Sequence, residues 1–167
     1  KVFPRILAMS EVLWGEKEDN YDNFLKRVEK HYLKLEYLGV KYGYEKTPIK
    51  FTSNFNNDSF EIKIDKGNKN MNVIYQINDN SWQEYKKPFK LYNSAKINAK
   101  EKNSKIKEAA FKNLEINFHK GLGKKTIYNT HYNDSYQGSG NNSLINGISG
   151  SELNFRDGQW QGFFGED

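Results

Sequence analysis

The sequence predicts a mixed α and β chain: helices first, a small antiparallel β-sandwich next, and a turn-dense closing section. Three observations carry this. Up to about residue 40 the apolar residues recur at spacings of three and four. From 47 to about 120 the apolar period changes to two. From Gly121 onward glycine is dense, with Gly121, Gly123, Gly138, Gly140, Gly147, Gly150, Gly158, Gly162 and Gly165. These periods are those of an amphipathic helix and of a half-buried strand. The chain has 167 residues, a length that suits one domain or two small ones. The section boundaries are placed at 1–46, 47–120 and 121–167.

The opening stretch, Lys1 to Gly15, reads KVFPRILAMSEVLWG. Pro4 suits a first helical turn, where a missing N–H costs nothing. Ile6, Leu7, Met9, Val12 and Leu13 are apolar, Ala8 is small, and only Arg5, Ser10 and Glu11 interrupt. The expectation is a short helix buried on most sides and wedged between larger elements, the remnant of something bigger. Glu11 is expected to pair with a cation such as Arg5. Trp14 is expected to pack with its N–H satisfied nearby, in preference to serving as a sugar-stacking platform.

A polar connection over 16–20 follows, with Asn20 or Asp19 as the N-cap. Phe24, Leu25, Val28, Tyr32, Leu35 and Leu38 mark a second, amphipathic helix, and Gly39 fits its C′ position. Lys26, Arg27, Glu29, Lys30, Lys34 and Glu36 are expected on its solvated face. His31 is expected to be packed or hydrogen-bonded, because no second ligand sits at i+4 to make a metal pair.

In the middle section the alternating sets are Phe60, Ile62 and Ile64; Val73, Tyr75 and Ile77; Phe89 and Leu91; Ala95, Ile97 and Ala99; and Leu114, Ile116 and Phe118. Short alternating strands at roughly ten-residue spacing read as an antiparallel sandwich, one face buried and the other wet. Pro88 precedes a short strand, a permitted place.

The formal net charge is +5, from 26 Lys plus Arg against 21 Asp plus Glu. Nucleic-acid binding is not the reading drawn from it. Arginine, which dominates phosphate and base contacts, stands only at Arg5, Arg27 and Arg156, and the lysines fall on outward strand positions. The chain has no cysteine, so it holds no disulfide and no thiolate metal site. No apolar run approaches the ~20 residues that span a bilayer. No signal peptide is visible, and the chain is read as an internal piece of a longer protein. Gly121-Leu122-Gly123-Lys124-Lys125 lacks the spacing of a phosphate-binding loop.

Phe3, Pro4, Arg5, Glu11 and Trp14, in the string FPRILAMSEVLWG, resemble the segment that follows the last barrel strand in family 20 glycoside hydrolases, the β-N-acetylhexosaminidases; Ser10 stands where Ala is common. The likeness continues through Phe24, His31, Leu35, Leu38, Gly39, Val40 and Tyr42. The resemblance implies that 1–46 are terminal helices of a TIM barrel. Tyr75-Gln76-Ile77-Asn78, Trp82, Tyr85, Pro88-Phe89 and Ala95-Lys96-Ile97-Asn98-Ala99 resemble the immunoglobulin-like module of chitobiase-type members, with Asn80 in place of the usual turn Gly. Asn142-Ser143-Leu144-Ile145-Asn146-Gly147-Ile148-Ser149-Gly150-Ser151, followed by Asp157-Gly158-Gln159-Trp160-Gln161-Gly162-Phe163, is similar to the opening of discoidin-like domains. There Asn146 stands for the usual Asp. Section 121–167 is therefore expected to be an incomplete jelly-roll sandwich, poorly packed or highly mobile from Tyr128 on, with Trp160 in its core.

What the resemblance implies about activity is hydrolysis of terminal N-acetylhexosamines, assisted by the substrate's own acetamido group. In that family an adjacent Asp-Glu pair does the work, the Asp orienting the acetamido group and the Glu protonating the leaving oxygen. No Asp-Glu pair occurs here; Glu18-Asp19 and Glu166-Asp167 run in the reverse order. The expectation is a segment with no catalytic, cofactor-binding or metal residues, whose parent acts on glycans ending in N-acetylglucosamine or N-acetylgalactosamine. The resemblance also implies a bacterial protein of the periplasm, cell surface or exterior. The other reading kept open is a non-enzymatic carbohydrate-binding or adhesive module.

Overall fold

The computed structural model describes residues 2–15, 20–44, 47–67, 71–102, 111–152, 155 and 157–163. The expected connection at 16–19, the pairs Glu18-Asp19 and Glu166-Asp167, Arg156 and Gly165 lie outside them. The chain is mixed, and its described residues form two α-helices followed by antiparallel sheets. Among the described residues no strands pair in parallel and no barrel closes.

Helix α1 spans Arg5–Trp14, directly after Pro4. It is not buried on most sides. None of its residues is fully buried, and Trp14 is 88% exposed with Met9, Val12 and Leu13 also open. A ten-residue helix that is apolar nearly all round needs cover on more than one flank. The described residues hold it by a few points: the Phe3 carbonyl accepts from Gly43 N–H at 3.1 Å, and Glu11 takes a bidentate contact from Arg27. Trp14 is thus not the packed residue that was expected.

Helix α2, Tyr21–Tyr37, has the ends its sequence announces. Asn20 Oδ1 accepts from Asn23 N–H at 3.0 Å, an N-cap bond. Gly39 has φ of +67°, its N–H meets the Glu36 carbonyl at 3.1 Å, and Val40 N–H meets that of Leu35 at 2.9 Å. These two bonds form a Schellman motif, which a left-handed glycine permits. Leu25, Val28 and Leu35 are buried on one side. Tyr32 stacks on buried Tyr42 at 4.6 Å, and both meet Tyr44 edge-on. Two residues placed on the solvated face have inward work instead: Arg27 bonds Glu11, and Glu36 accepts from Tyr42 Oη at 2.9 Å.

Among the described residues seven strands make the middle section. They are β1 (Ile49–Asn56), β2 (Ser59–Lys66), β3 (Val73–Ile77), β4 (Gln83–Glu84), β5 (Phe89–Leu91), β6 (Ala95–Glu101) and β7 (Lys112–Ile116). They form one sheet in the order β1-β2-β5 and another in the order β4-β3-β6-β7, all antiparallel. Residues of both sheets meet in two apolar clusters. One holds Ile49, Ile64, Met71, Val73, Tyr85 and Ala99; the other holds Phe60, Ile62, Leu91, Ala95, Ile97 and Ile116. Phe51, Tyr75 and Phe89 touch both clusters and join them into one sandwich interior. The expected inward sets are the observed ones, and Lys50, Lys63, Lys66, Lys90 and Lys96 point to solvent.

Strand β1 was not among the expected strands. It pairs with β2 along its whole length, from Ile49 opposite Lys66 to Asn56 opposite Ser59. Asn57 and Asp58 turn the hairpin with φ of 46° and 59°. Both in the left-handed region is the two-residue turn that Asn and Asp tolerate best. Asn78 and Asp79 repeat it after β3, at 49° and 59°, and Asn80 N–H closes the turn on the Ile77 carbonyl. The absence of a glycine at Asn80 therefore costs this turn nothing.

Candidate functional site

The third section begins by adhering to the sandwich. Asn117 N–H meets the Gly147 carbonyl at 2.7 Å, and Ile148 bridges to Ile116. Leu122 and Ile148 pack on the cluster around Phe60 and Ile116. Gly147 lies at φ of +70°, and a Cβ there would come within 2.7 Å of the Asn117 carbonyl oxygen and 2.9 Å of the Phe60 ring. The Asn-Gly at 146–147 thus serves a close approach of two backbones. Asn146 uses both ends of its amide. Its Oδ1 accepts from Ile148 N–H at 2.8 Å and its Nδ2 donates to Ser139 Oγ at 2.9 Å. An aspartate could keep the first bond but has no N–H to donate to Ser139.

Beyond this contact lie β8 (Tyr132–Gln137), a 3-10 helix (Gly140–Ile145) and β9 (Gln161–Phe163). Strands β8 and β9 pair antiparallel with a bulge between Tyr132 and Gln137. Polar side chains hold this part together more than apolar ones do. Gln161 Nε2 donates to the carbonyls of Gln137 and Gly140, while its Oε1 accepts from Tyr128 Oη at 2.9 Å. Tyr128 stacks on Phe163 and meets Tyr132 edge-on. The buried apolar residues of the described chain end at Ile116, in keeping with the loose packing expected from Tyr128 on.

A short loop ties Asp157 and Gln159 back to Ser151. The Asp157 carboxylate accepts from Ser151 N–H and from Gln159 N–H, the second at 2.9 Å. This loop presents Trp160. Its Nε1–H donates to the Ser151 carbonyl at 2.9 Å, and Phe155 meets the indole edge-to-face at 5.1 Å. Trp160 is 39% exposed and is no core residue. It walls a groove of about 530 Å³ together with Phe155, Tyr136, Asp134, Gln137 and Gly158. The expectation of a packed Trp160 fails because β8 and β9 are a two-stranded ribbon, and such a ribbon has no second layer to cover its aromatic residues.

Among the described residues the titratable groups with a clear shift lie away from this groove. Burial raises the Tyr42 phenol well above its usual range, helped by bonds to Tyr44 and Glu36. Burial, then the nearby Glu36 charge, raises Glu101. The Lys63 ammonium and the Asp65 carboxylate, 2.6 Å apart on the outer face of β2, each favour the other's charged form. Lys100 sits 4.1 Å from the Trp82 ring centroid and holds it on the outer face of the four-stranded sheet. His31 lies half-buried on α2.

Among the described residues no three His, Asp or Glu side chains converge as a metal-holding group. No described helix is long and apolar enough to cross a membrane. Of the residues singled out in the sequence, the structure brings Glu11 to Arg27 rather than to Arg5. Six positions along a helix are about 600° of rotation, which leaves Arg5 and Glu11 about 120° apart on different sides of α1. Phe155, Tyr136 and Asp134 were missed; the alternation of Tyr132, Asp134 and Tyr136 was a strand signal that could have found two of them. No protein-family model matches the chain, and no curated protein matches it.

Proposed function

We propose that the chain is the non-catalytic C-terminal segment of a family 20 β-N-acetylhexosaminidase, which removes terminal N-acetylhexosamines from glycans. In this reading 1–46 are terminal helices of the catalytic barrel, 47–120 an immunoglobulin-like sandwich and 121–167 the start of a discoidin-like jelly roll. The segment supports the barrel and carries accessory modules of a bacterial enzyme of the periplasm, cell surface or exterior. The observation that carries the reading is the ordered string from Phe3 to Trp14 on a helix whose apolar residues stand open. Exposed apolar side chains clustered on one helix call for a covering surface. Two further features support it. The strand orders β1-β2-β5 and β4-β3-β6-β7 suit an immunoglobulin-like module. The β8-β9 ribbon is too small to be a sandwich by itself.

The test has two arms. The isolated chain should not turn over a nitrophenyl N-acetylglucosaminide, and the gene upstream of Lys1 should encode an Asp-Glu pair, with turnover in the joined product. Turnover by this chain alone, or an upstream region without the pair, sinks the proposal. A second reading, a non-enzymatic carbohydrate-binding module, is favoured by one feature, the aromatic groove at Trp160.

A further inference from the structure

We infer that Asn146-Gly147 is a self-modification site, and that deamidation there releases the third section from the sandwich. It is the single Asn-Gly pair in the chain. Glycine carries no Cβ to shield its backbone nitrogen, so this nitrogen is the least hindered of those that follow an asparagine. In the reaction the Gly147 nitrogen attacks Asn146 Cγ and gives up its proton. The Cγ–Nδ2 bond breaks, and Nδ2 leaves with that proton as ammonia. The five-membered succinimide left behind takes up one solvent water. Water at Cγ yields aspartate. Water at the backbone carbon yields isoaspartate, whose main chain runs through Cβ and Cγ and is longer by one atom.

The folded clasp between the two sections holds this chemistry off. Asn146 has ψ of −8°, which nearly eclipses the Gly147 nitrogen with Asn146's own nitrogen. Its Cβ then stands roughly a third of a turn away about the Cα–C bond, the tetrahedral offset at Cα. Ring closure needs Cβ and the Gly147 nitrogen almost eclipsed. The amide is also pinned at both ends, by Ile148 N–H at Oδ1 and by Ser139 Oγ at Nδ2. Reaction therefore requires Asn146 to turn about ψ, which draws the Gly147 carbonyl off Asn117 N–H. What must open is small. It comprises that bond, the Asn117 Nδ2 bond to Ser149 Oγ, the Ile116–Ile148 bridge and the packing of half-buried Ile148. A patch of this size opens far more often than a whole domain unfolds.

The two products differ in what they do to the clasp. Aspartate keeps the Oδ1 contact with Ile148 N–H, and the Ser139 hydroxyl can turn to donate to it. The bond that hydroxyl now makes to Gln159 Oε1 is long, at 3.4 Å, and is readily given up. Isoaspartate breaks the clasp. Gly147 is so close to its neighbours that even a Cβ would come within 2.7 Å of the Asn117 carbonyl oxygen and 2.9 Å of the Phe60 ring. An extra main-chain atom has no room there and displaces the Gly147 carbonyl. Ammonia is lost to solvent, so the amide does not re-form.

The test ages the full chain in mildly alkaline buffer, with and without urea. Asn146 is followed by peptide mass spectrometry and by isoaspartyl-methyltransferase labelling. It should react in native buffer, and more slowly than in urea. Ile148→Ala weakens the clasp and should speed the native reaction about three- to tenfold, the worth of a half-buried apolar side chain, with the urea rate unchanged. If I148A unfolds the third section, Ser139→Ala, which removes only the Nδ2 acceptor, decides in the same way. Amide exchange at Asn117 should accelerate in step with the isoaspartate fraction and stay slow in Asn146→Asp. A native chain still intact at Asn146 after many urea half-lives overturns the site. Equal native and urea rates, or a clasp variant that reacts no faster than the parent, overturn the gating by the clasp. Slow Asn117 exchange in the isoaspartate fraction, or fast exchange in N146D, overturns the release.

Discussion

Tyr85→Phe tests how the two sheets of the sandwich are joined. Tyr85 follows β4, and its phenolic oxygen reaches across to accept from the Ile64 N–H of β2 at 3.0 Å in the buried interior. Strand β5 covers β2 only from Phe60 to Ile62, so Ile64 has no ladder partner on that edge. Phenylalanine keeps the ring and its edge-to-face contact with Tyr75 at 6.1 Å. What is removed is one oxygen, and the Ile64 N–H is left buried and unpaired. An orphaned buried donor costs about 1–3 kcal/mol. For a domain of the sandwich's size each kcal/mol lowers the Tm by roughly 4–8 °C. The assay is urea and thermal unfolding followed by Trp82 fluorescence in a background with Trp14 and Trp160 replaced by Phe. Amide exchange at Ile64 is measured alongside and should accelerate. Tyr85→Ala also removes the ring, and losses of about 3–5 kcal/mol accompany large-to-small aromatic changes. A Tyr85→Phe stability within about 0.5 kcal/mol of the parent, the range of an indifferent surface change, would refute the reasoning.

Two more expectations follow from the same structure. Glu101 has its pKa raised from 4.5 by burial and then by the Glu36 charge, so the folded chain holds that proton more tightly than the unfolded one. The ionised carboxylate therefore weakens the fold at neutral pH, and this cost disappears as pH falls from above the raised value to below 4.5. Glu101→Gln should raise the Tm at pH 7 and match the parent below pH 4.5; equal Tm values across the range would contradict the assignment. Gly147→Ala places a Cβ against Asn117 and Phe60 at a positive φ. Overpacking there costs about 1–3 kcal/mol and should loosen the third section from the sandwich, changing Trp160 fluorescence while Trp82 reports an intact sandwich.

How much was legible in the sequence depended on the span of the interaction. The α2 ends were readable because Asn20 and Gly39 act on backbone groups within four residues of themselves. The inward faces of β2, β3 and β6 were readable because alternation needs no knowledge of the partner strand. Strand β1 was not recognised, since Ser53 interrupts its apolar set, and the Asn57-Asp58 turn lacks the glycine that usually marks such hairpins. Of the groove only the strand was readable, from the alternation of Tyr132, Asp134 and Tyr136. The groove joins β8 residues to a loop about twenty residues on, and no local period signals that meeting.

The sequence by itself determined the order of sections, the period of each and the residues that turn inward in the sandwich. Those properties follow from residue type and spacing, which act over a few positions. The tertiary structure decided the partners: Arg27 for Glu11, Tyr85 for Ile64, Asn117 for Gly147, and open surroundings for Trp14 and Trp160. Partner choice is set by how elements cross and by what covers them. A side chain's chemistry states what it can bond, and the packing around it selects which bond it makes.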